Sequence, residues 1–131
     1  MEKINSPITS IPGIGPVLGA VIISEFGDIK RFDKPSKLVA FAGIDATVSQ
    51  SGEFEGTHNV MSKRGSPYLR KALFQAALVA SNTDPVLKAY YQKKRAEGKH
   101  HKTCIGAVSR KMCNIIYAVL KNNTPYEVPK Q

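Results

Sequence analysis

Residues 8–27 read ITSIPGIGPVLGAVIISEFG, and this stretch holds the clearest local structural signals in the chain. Two glycines, Gly13 and Gly15, are separated by one apolar residue, a spacing typical of a tight turn because glycine adopts positive φ at little cost. Pro16 suits the first turn of a helix, and Gly27 is a typical residue just beyond a helix end. The stretch therefore predicts a helix entered through a glycine-rich turn.

The same stretch resembles the helix-hairpin-helix elements of DNA-repair and recombination proteins. The resemblance implies that the glycine-rich hairpin offers backbone N–H groups to a DNA phosphate, as helix N-termini do for anions in general. Such a contact is independent of sequence, because phosphates carry no base identity. We therefore expect Gly13 and Gly15 to contact DNA, and the alternative is a plain helical hairpin that packs into the core.

The rest of the chain alternates between helical patterns and one long polar stretch. Residues 35–43, PSKLVAFAG, predict a short helix between a proline and a glycine. Residues 44–65 break the helical period with glycines and small polar residues, so we expect a polar loop or a short β-hairpin there. Apolar residues recur at three- and four-residue spacing across 66–121, where turn residues separate three helices. The expected fold class is therefore mainly α, in a single domain of residues 1–131.

Charge is divided unevenly along the chain, whose net charge is +9. Residues 1–60 hold 5 Lys or Arg and 7 Asp or Glu, whereas residues 61–131 hold 14 and 3. A basic half indicates a polyanionic partner, nucleic acid before membrane, and the alternative is a solvated basic surface. No apolar run reaches the roughly 20 residues of a membrane span, and the first ten residues lack signal-peptide features. We therefore expect a cytoplasmic protein without a membrane partner.

The sequence predicts no metal site of its own. The three histidines have no cysteines or paired carboxylates near them, and the ten carboxylates show no spacing suited to a two-metal nuclease. Cys104 and Cys113 would lie on opposite faces if one helix carried both, too far apart for a disulfide. We therefore expect no metal and no cofactor in this domain.

Five segments in order resemble a single protein family: IPGIGP, EFGDIKRF, KLVAFAGID, QSG and MSKRGSPYLRKAL. Together they resemble, over residues 8–120, the C-terminal domain of insertion-sequence transposases of the DEDD class, which include the pilin-gene-inverting recombinase. The resemblance implies a longer protein with an N-terminal RuvC-like nuclease domain, which binds a divalent metal (Mg²⁺) and is absent from this chain. It also implies DNA transposition, a homo-oligomer at full length and, in some members, a guide RNA.

The resemblance assigns a nucleophile to the polar stretch, which it makes an active-site loop. In the family pattern a serine directly precedes a glycine and completes a composite active site; here it is Ser51, before Gly52, with Ser49 as the runner-up. Serine needs a base, a metal or positive neighbours to become nucleophilic, and the absent nuclease domain would supply the metal. We therefore expect the isolated domain to be inactive. The alternatives are that Ser51 is a turn residue and that the domain is a non-catalytic DNA-binding or dimerisation module.

Residues 62–67, SKRGSP, resemble a second family motif and offer a phosphate two cations, a glycine turn and a helix N-terminus. A further basic group spans residues 88–102, where Tyr90 and Tyr91 are expected either to stack on bases or to pack into the core. Besides the hairpin glycines, the predicted DNA-binding residues are Gly52, Lys63, Arg64, Gly65, Arg70, Lys71, Lys93, Lys94 and Arg95.

Overall fold

The N-terminal part of the computed structural model is built from short elements joined by turns; the structure describes residues 6–44 and 67–127. A four-residue 3-10 helix, Pro7–Ser10, follows Ser6, whose hydroxyl accepts a hydrogen bond from the Ile8 amide at 3.2 Å. A turn then leads into helix α1, Pro16–Phe26, which ends at Gly27. The first helix of the expected hairpin is thus a single 3-10 turn.

A second pair of short elements packs around three phenylalanines. The 3-10 helix Ile29–Arg31 precedes helix α2, Pro35–Ala42, which ends at Gly43 in the left-handed conformation. The rings of Phe26, Phe32 and Phe41 lie within 5.6–5.9 Å of one another, centroid to centroid. Arg31 joins this cluster, because its guanidinium donates to the Phe26 carbonyl and lies 5.0 Å from the Phe32 ring centre. This cation is therefore part of the packing.

Three longer helices form the second part of the fold: α3, Pro67–Thr83; α4, Pro85–Ala96; and α5, His101–Asn122. Asp84 is the only residue between α3 and α4, and its carboxylate accepts a hydrogen bond from the Leu87 amide at 2.9 Å, which caps α4. The described residues form no strand, so the mainly α prediction is confirmed. The possible β-hairpin in 44–65 falls almost entirely outside the described residues.

Helix α5 is the centre of the structure and contacts α2, α3, α4 and both 3-10 helices. The buried surface of this helix is wider than a single apolar stripe and includes both Cys104 and Cys113. The two cysteines lie on different faces, and both faces are covered because helices pack around α5 from several sides. Burial raises the pKa of the Cys113 thiol to about 12, so this cysteine is an inert core residue.

The C-terminal residues fold back against the start of the chain. Tyr126 donates its backbone N–H to the Ser10 hydroxyl at 2.7 Å and its phenolic O–H to the Asp84 carboxylate at 2.9 Å. Asp84 is 1% exposed, so the Tyr126 hydroxyl satisfies a buried carboxylate oxygen that otherwise lacks a partner among the described residues. Tyr126 therefore ties together the first 3-10 helix, the α3–α4 junction and the C-terminal tail.

Candidate nucleic-acid interface

The start of α3 and the end of α4 both lie far from the junction of these two helices at Asp84, and the end of α4 leads into the start of α5. Because a helix rises 1.5 Å per residue, Lys71 lies about 20 Å from Asp84 along α3, and Ala96 about 18 Å from it along α4. The four residues 97–100 then lead directly into α5. We call residues 67–71 and 93–102 the basic end, because they carry the following cations: Arg70, Lys71, Lys93, Lys94, Arg95, Lys99 and Lys102.

The first turn of α3 anchors its part of the basic end. Leu69 is fully buried and Ala72 nearly so, which fixes this turn against the core. Lys71 is exposed, whereas Arg70 is half-buried and makes contacts within the protein. Of these two predicted ligands, Lys71 is thus the one whose charge is directed to solvent.

The last turn of α4 presents a denser group of cations. Lys93 is exposed and forms no ion pair within residues 6–44 and 67–127. Arg95 donates to the Lys99 carbonyl at 3.2 Å, which orders the connection to α5. Glu97 lies 3.8 Å from the Lys94 ammonium and 4.0 Å from that of Lys99. One carboxylate therefore faces several cations, and the net potential remains positive.

The structure places Tyr90 and Tyr91 in intramolecular contacts. The Tyr90 ring centre lies 5.3 Å from the Lys94 ammonium and 4.8 Å from that of Lys111. The Tyr91 hydroxyl lies 2.7 Å from Nδ1 of His101. Both tyrosines are half-buried and pack against the core, the second of the two roles expected for them. In this structure they brace α4 against α5.

The glycine hairpin lies at a different level of the bundle. Gly13 has a φ of +90°, and a Cβ built on it would overlap the Ala76 carbonyl oxygen and lie 3.2 Å from the Ala80 amide nitrogen. Ala80 is about 15 Å along α3 from Arg70. Gly15, by contrast, is exposed at the N-terminus of α1, and a Cβ built on it would have nothing within 4 Å. Packing against α3 is therefore sufficient to require glycine at position 13. Contact of Gly13 or Gly15 with DNA stays a prediction.

The predicted catalytic residues Ser49 and Ser51, together with Gly52, Lys63, Arg64 and Gly65, lie outside the described residues. The residues on either side of that segment are described. The guanidinium of Arg110, in the middle of α5, donates to the Ile44 carbonyl at 3.2 Å. Pro67, on the other side, begins α3 at the basic end.

Arg110 and Lys111 are two cations of α5 that were not among the predicted DNA-binding residues. A signal for Arg110 was available in the sequence, because this residue lies between the apolar Val108 and Met112, both of which are buried. A cation in a largely buried helix requires a partner. Its partner, Ile44, is 66 residues away in the chain, and no local pattern indicates that contact.

Among the described residues, no three His, Cys, Asp or Glu side chains come together as metal ligands would. Within the same ranges, no helix is both long enough and apolar enough to cross a membrane.

The amino-acid sequence of this domain is similar to those of known proteins. Residues 5–92 match the model of the Transposase IS116/IS110/IS902 family. The chain belongs to this transposase family. It is 33% identical over 124 residues to the insertion element IS110 uncharacterized 43.6 kDa protein of Streptomyces coelicolor, covering 93% of this chain and 30% of that protein.

Two further relatives of this transposase family extend the comparison. The pilin gene-inverting protein of Moraxella bovis is 30% identical over 123 residues, which is 93% of this chain and 38% of that protein. The insertion element IS900 uncharacterized 42 kDa protein of Mycobacterium paratuberculosis is 33% identical over 120 residues, which is 91% of this chain and 30% of that protein. The chain thus spans about a third of the length of these transposase-family relatives. The name of the family and the names of these relatives place the family in transposition and DNA recombination.

Proposed function

We propose that this domain binds DNA through its basic end and brings a serine nucleophile to the reaction of a longer transposase. The observation that carries the proposal is the set of exposed cations on the first turn of α3, the last turn of α4 and the first turn of α5, all distant from the α3–α4 junction at Asp84. Phosphate oxygens bind lysine and arginine side chains without regard to base sequence, so this end suits the DNA backbone. Family membership supports DNA as the polyanion.

The proposed reaction is attack of the Ser51 hydroxyl oxygen on the phosphorus of a phosphodiester. The serine O–P bond forms as the P–O bond to one deoxyribose oxygen breaks, and the serine proton ends on that leaving oxygen. The DNA strand end is then held as a phosphoserine ester until a second hydroxyl displaces the serine. Lys63, Arg64 and Gly65, with Gly52 beside the nucleophile, are the proposed phosphate ligands near this step.

The divalent metal belongs, in this proposal, to the RuvC-like domain of the longer protein. The described residues of this chain include no group of three His, Cys, Asp or Glu side chains that could hold it. A guide RNA and a homo-oligomer are further partners proposed for the longer protein on the family resemblance alone.

Exposed aliphatic side chains favour a second candidate function, assembly of the transposase. Val17 on α1 is 71% exposed, and Leu78 and Val79 on α3 are 41% and 48% exposed. Helix α1 also carries a single charged residue, Glu25, although a helix with an apolar composition is usually covered on all sides. A domain acting only in assembly would bind DNA weakly and form no covalent intermediate.

The decisive experiment on the nucleophile uses the longer protein with its RuvC-like domain, DNA of the element end and the element RNA. We expect a covalent protein–DNA adduct on a denaturing gel for the wild type and for Ser49→Ala, and none for Ser51→Ala. An adduct that persists in Ser51→Ala would remove Ser51 from the mechanism. DNA binding with no adduct in any lane would favour a binding or assembly module.

The location of the DNA-binding surface is testable on this chain by charge removal. Lys71, Lys93 and Lys102 are exposed and have no ion-pair partner within the described ranges. Replacing all three with glutamine is expected to make the log–log slope of duplex affinity against salt shallower by about 3, and to weaken binding at least tenfold at ~0.1 M salt.

A matched control removes the same charge elsewhere. Lys30, Lys34 and Lys37 are also exposed, and they lie near Phe32, whose carbonyl accepts from Tyr117 toward the C-terminal end of α5. The triple glutamine variant at these positions is expected to change the salt slope by less than about 1. Equal effects of the two triple variants would show that net charge, and not the basic end, attracts the DNA.

A further inference from the structure

Tyr68 differs from the four other tyrosines in having its ring in solvent. It is 73% exposed, whereas Tyr90, Tyr91, Tyr117 and Tyr126 are half-buried. Each of those four has a named partner: a cation, an imidazole, a backbone carbonyl or a carboxylate. The described residues give the Tyr68 ring no such partner.

The backbone that carries this exposed ring is firmly held. Tyr68 lies in the first turn of α3, directly before Leu69, which is fully buried, and Ala72 is 3% exposed one turn further on. A tyrosine ring has few rotatable bonds, so little conformational entropy opposes binding when its backbone is already fixed. The ring is therefore a rigid flat surface presented to a ligand.

Charge around Tyr68 selects the class of that ligand. The ring belongs to the basic end, and the exposed Lys71 lies three residues along the same helix. The one carboxylate described at this end, Glu97, already lies beside two lysines. A planar apolar surface among cations matches a nucleotide, because the base offers a π-face and the phosphate a negative charge.

We propose that Tyr68 is a stacking platform for an unpaired DNA base whose neighbouring phosphates lie against Lys71 and the other cations of the basic end. In duplex DNA the faces of the bases are covered by their neighbours, so an exposed aromatic ring has nothing to stack on. An unpaired strand exposes those faces. The inference rests on the proposed DNA-binding function and narrows it: the basic end receives a melted or cut strand as well as duplex backbone.

The test measures binding of this chain to a short oligothymidine strand and to a duplex of equal length. Tyr68→Ala is expected to weaken single-strand binding by roughly 10- to 100-fold and duplex binding by less than about 2-fold. Tyr68→Phe should bind like the wild type, because it keeps the stacking surface. The salt slope should be unchanged in both variants, since no charge is removed.

A second readout reports stacking directly. A strand carrying one 2-aminopurine base should lose fluorescence on binding wild type and Tyr68→Phe, and lose much less on binding Tyr68→Ala at saturation. Leu78→Ala, which truncates another exposed side chain of α3, is the matched control and should behave like the wild type. Circular dichroism should be the same for all variants, because Tyr68 is exposed.

Each other outcome has a distinct meaning. Equal losses for strand and duplex in Tyr68→Ala, or no loss for either, would overturn the stacking role while leaving DNA binding intact. Tighter binding of an oligouridine strand, with the loss in Tyr68→Ala seen there alone, would overturn the assignment to DNA in favour of RNA. Failure of the wild type to bind any nucleic acid at low salt would overturn both this inference and the proposed function.

Discussion

Replacing Gly13 with alanine is expected to lower the free energy of unfolding by roughly 3 kcal/mol, through backbone strain and overpacking together. The φ of +90° disfavours any side chain, and the new Cβ would overlap the Ala76 carbonyl oxygen. Because the overlap is with backbone, no rotation of a side chain relieves it, and the hairpin must move away from α3. A loss of this size should lower the melting temperature by about 10 °C.

The neighbouring hairpin glycine supplies the control for this prediction. Gly15 has a φ of −88°, and nothing lies within 4 Å of a Cβ built on it. Gly15→Ala should therefore cost less than about 1 kcal/mol, the difference between glycine and alanine at a helix N-cap. Thermal unfolding followed by circular dichroism measures both variants. If Gly13→Ala melts with the wild type, the close approach of the hairpin to α3 does not exist in solution.

Replacing Asp84 with alanine is the second substitution expected to have a large effect, a loss of about 2–4 kcal/mol. One carboxylate oxygen accepts from the Leu87 amide and the other from the Tyr126 hydroxyl, both at 2.9 Å. The variant removes the cap of α4 and leaves the phenol without its acceptor. Asp84→Asn keeps an oxygen for the cap and should lose about half as much. Urea unfolding of the three proteins tests whether stability falls from the wild type to Asp84→Asn to Asp84→Ala. Equal stabilities for Asp84→Ala and the wild type would contradict the prediction.

The pH dependence of stability identifies the same hydrogen bond. Desolvation, the hydrogen bond to Asp84 and the negative charge of that carboxylate raise the pKa of Tyr126 to about 12, above the value of about 10 for an unfolded chain. A raised pKa means that the stabilisation is complete below pH 10 and is lost as the pH rises toward 12. The stability difference between wild type and Tyr126→Phe should therefore be constant below pH 10 and shrink above it. Cys113 titrates in the same direction, but it is present in both proteins and cancels in the difference.

Helix starts were predictable because proline marks them. Four α-helices described here begin with a proline, at positions 16, 35, 67 and 85, where the absent N–H costs nothing because the first helical amides are unpaired in any case. Asp84, directly before Pro85, is likewise typical of a helix N-cap, because a short acidic side chain accepts hydrogen bonds from those amides. These signals are local, and they depend on neighbours in the sequence.

Local signals of this kind do not predict which residues the hairpin and the cations contact in the folded domain. The turn at Gly13 followed from the sequence, but its contact with Ala76 joins positions more than 60 residues apart and depends on how α1 packs on α3. Arg31 is close to the hairpin in the sequence, yet its guanidinium packs against the Phe32 and Phe41 rings. Both cases depend on tertiary packing, which composition and periodicity do not encode.

The hydrogen bond between the Tyr126 amide and the Ser10 hydroxyl places both ends of the described chain on one side of the domain. It brings the first and last described elements together beside Asp84, at the opposite end of the bundle from Lys71 and Lys93. Polypeptides joined to the two termini would therefore connect to this domain close to each other, near Ser10 and Tyr126. In a longer transposase, a change in the spacing of those two connections would therefore act first on the contacts of Tyr126 with Ser10 and Asp84.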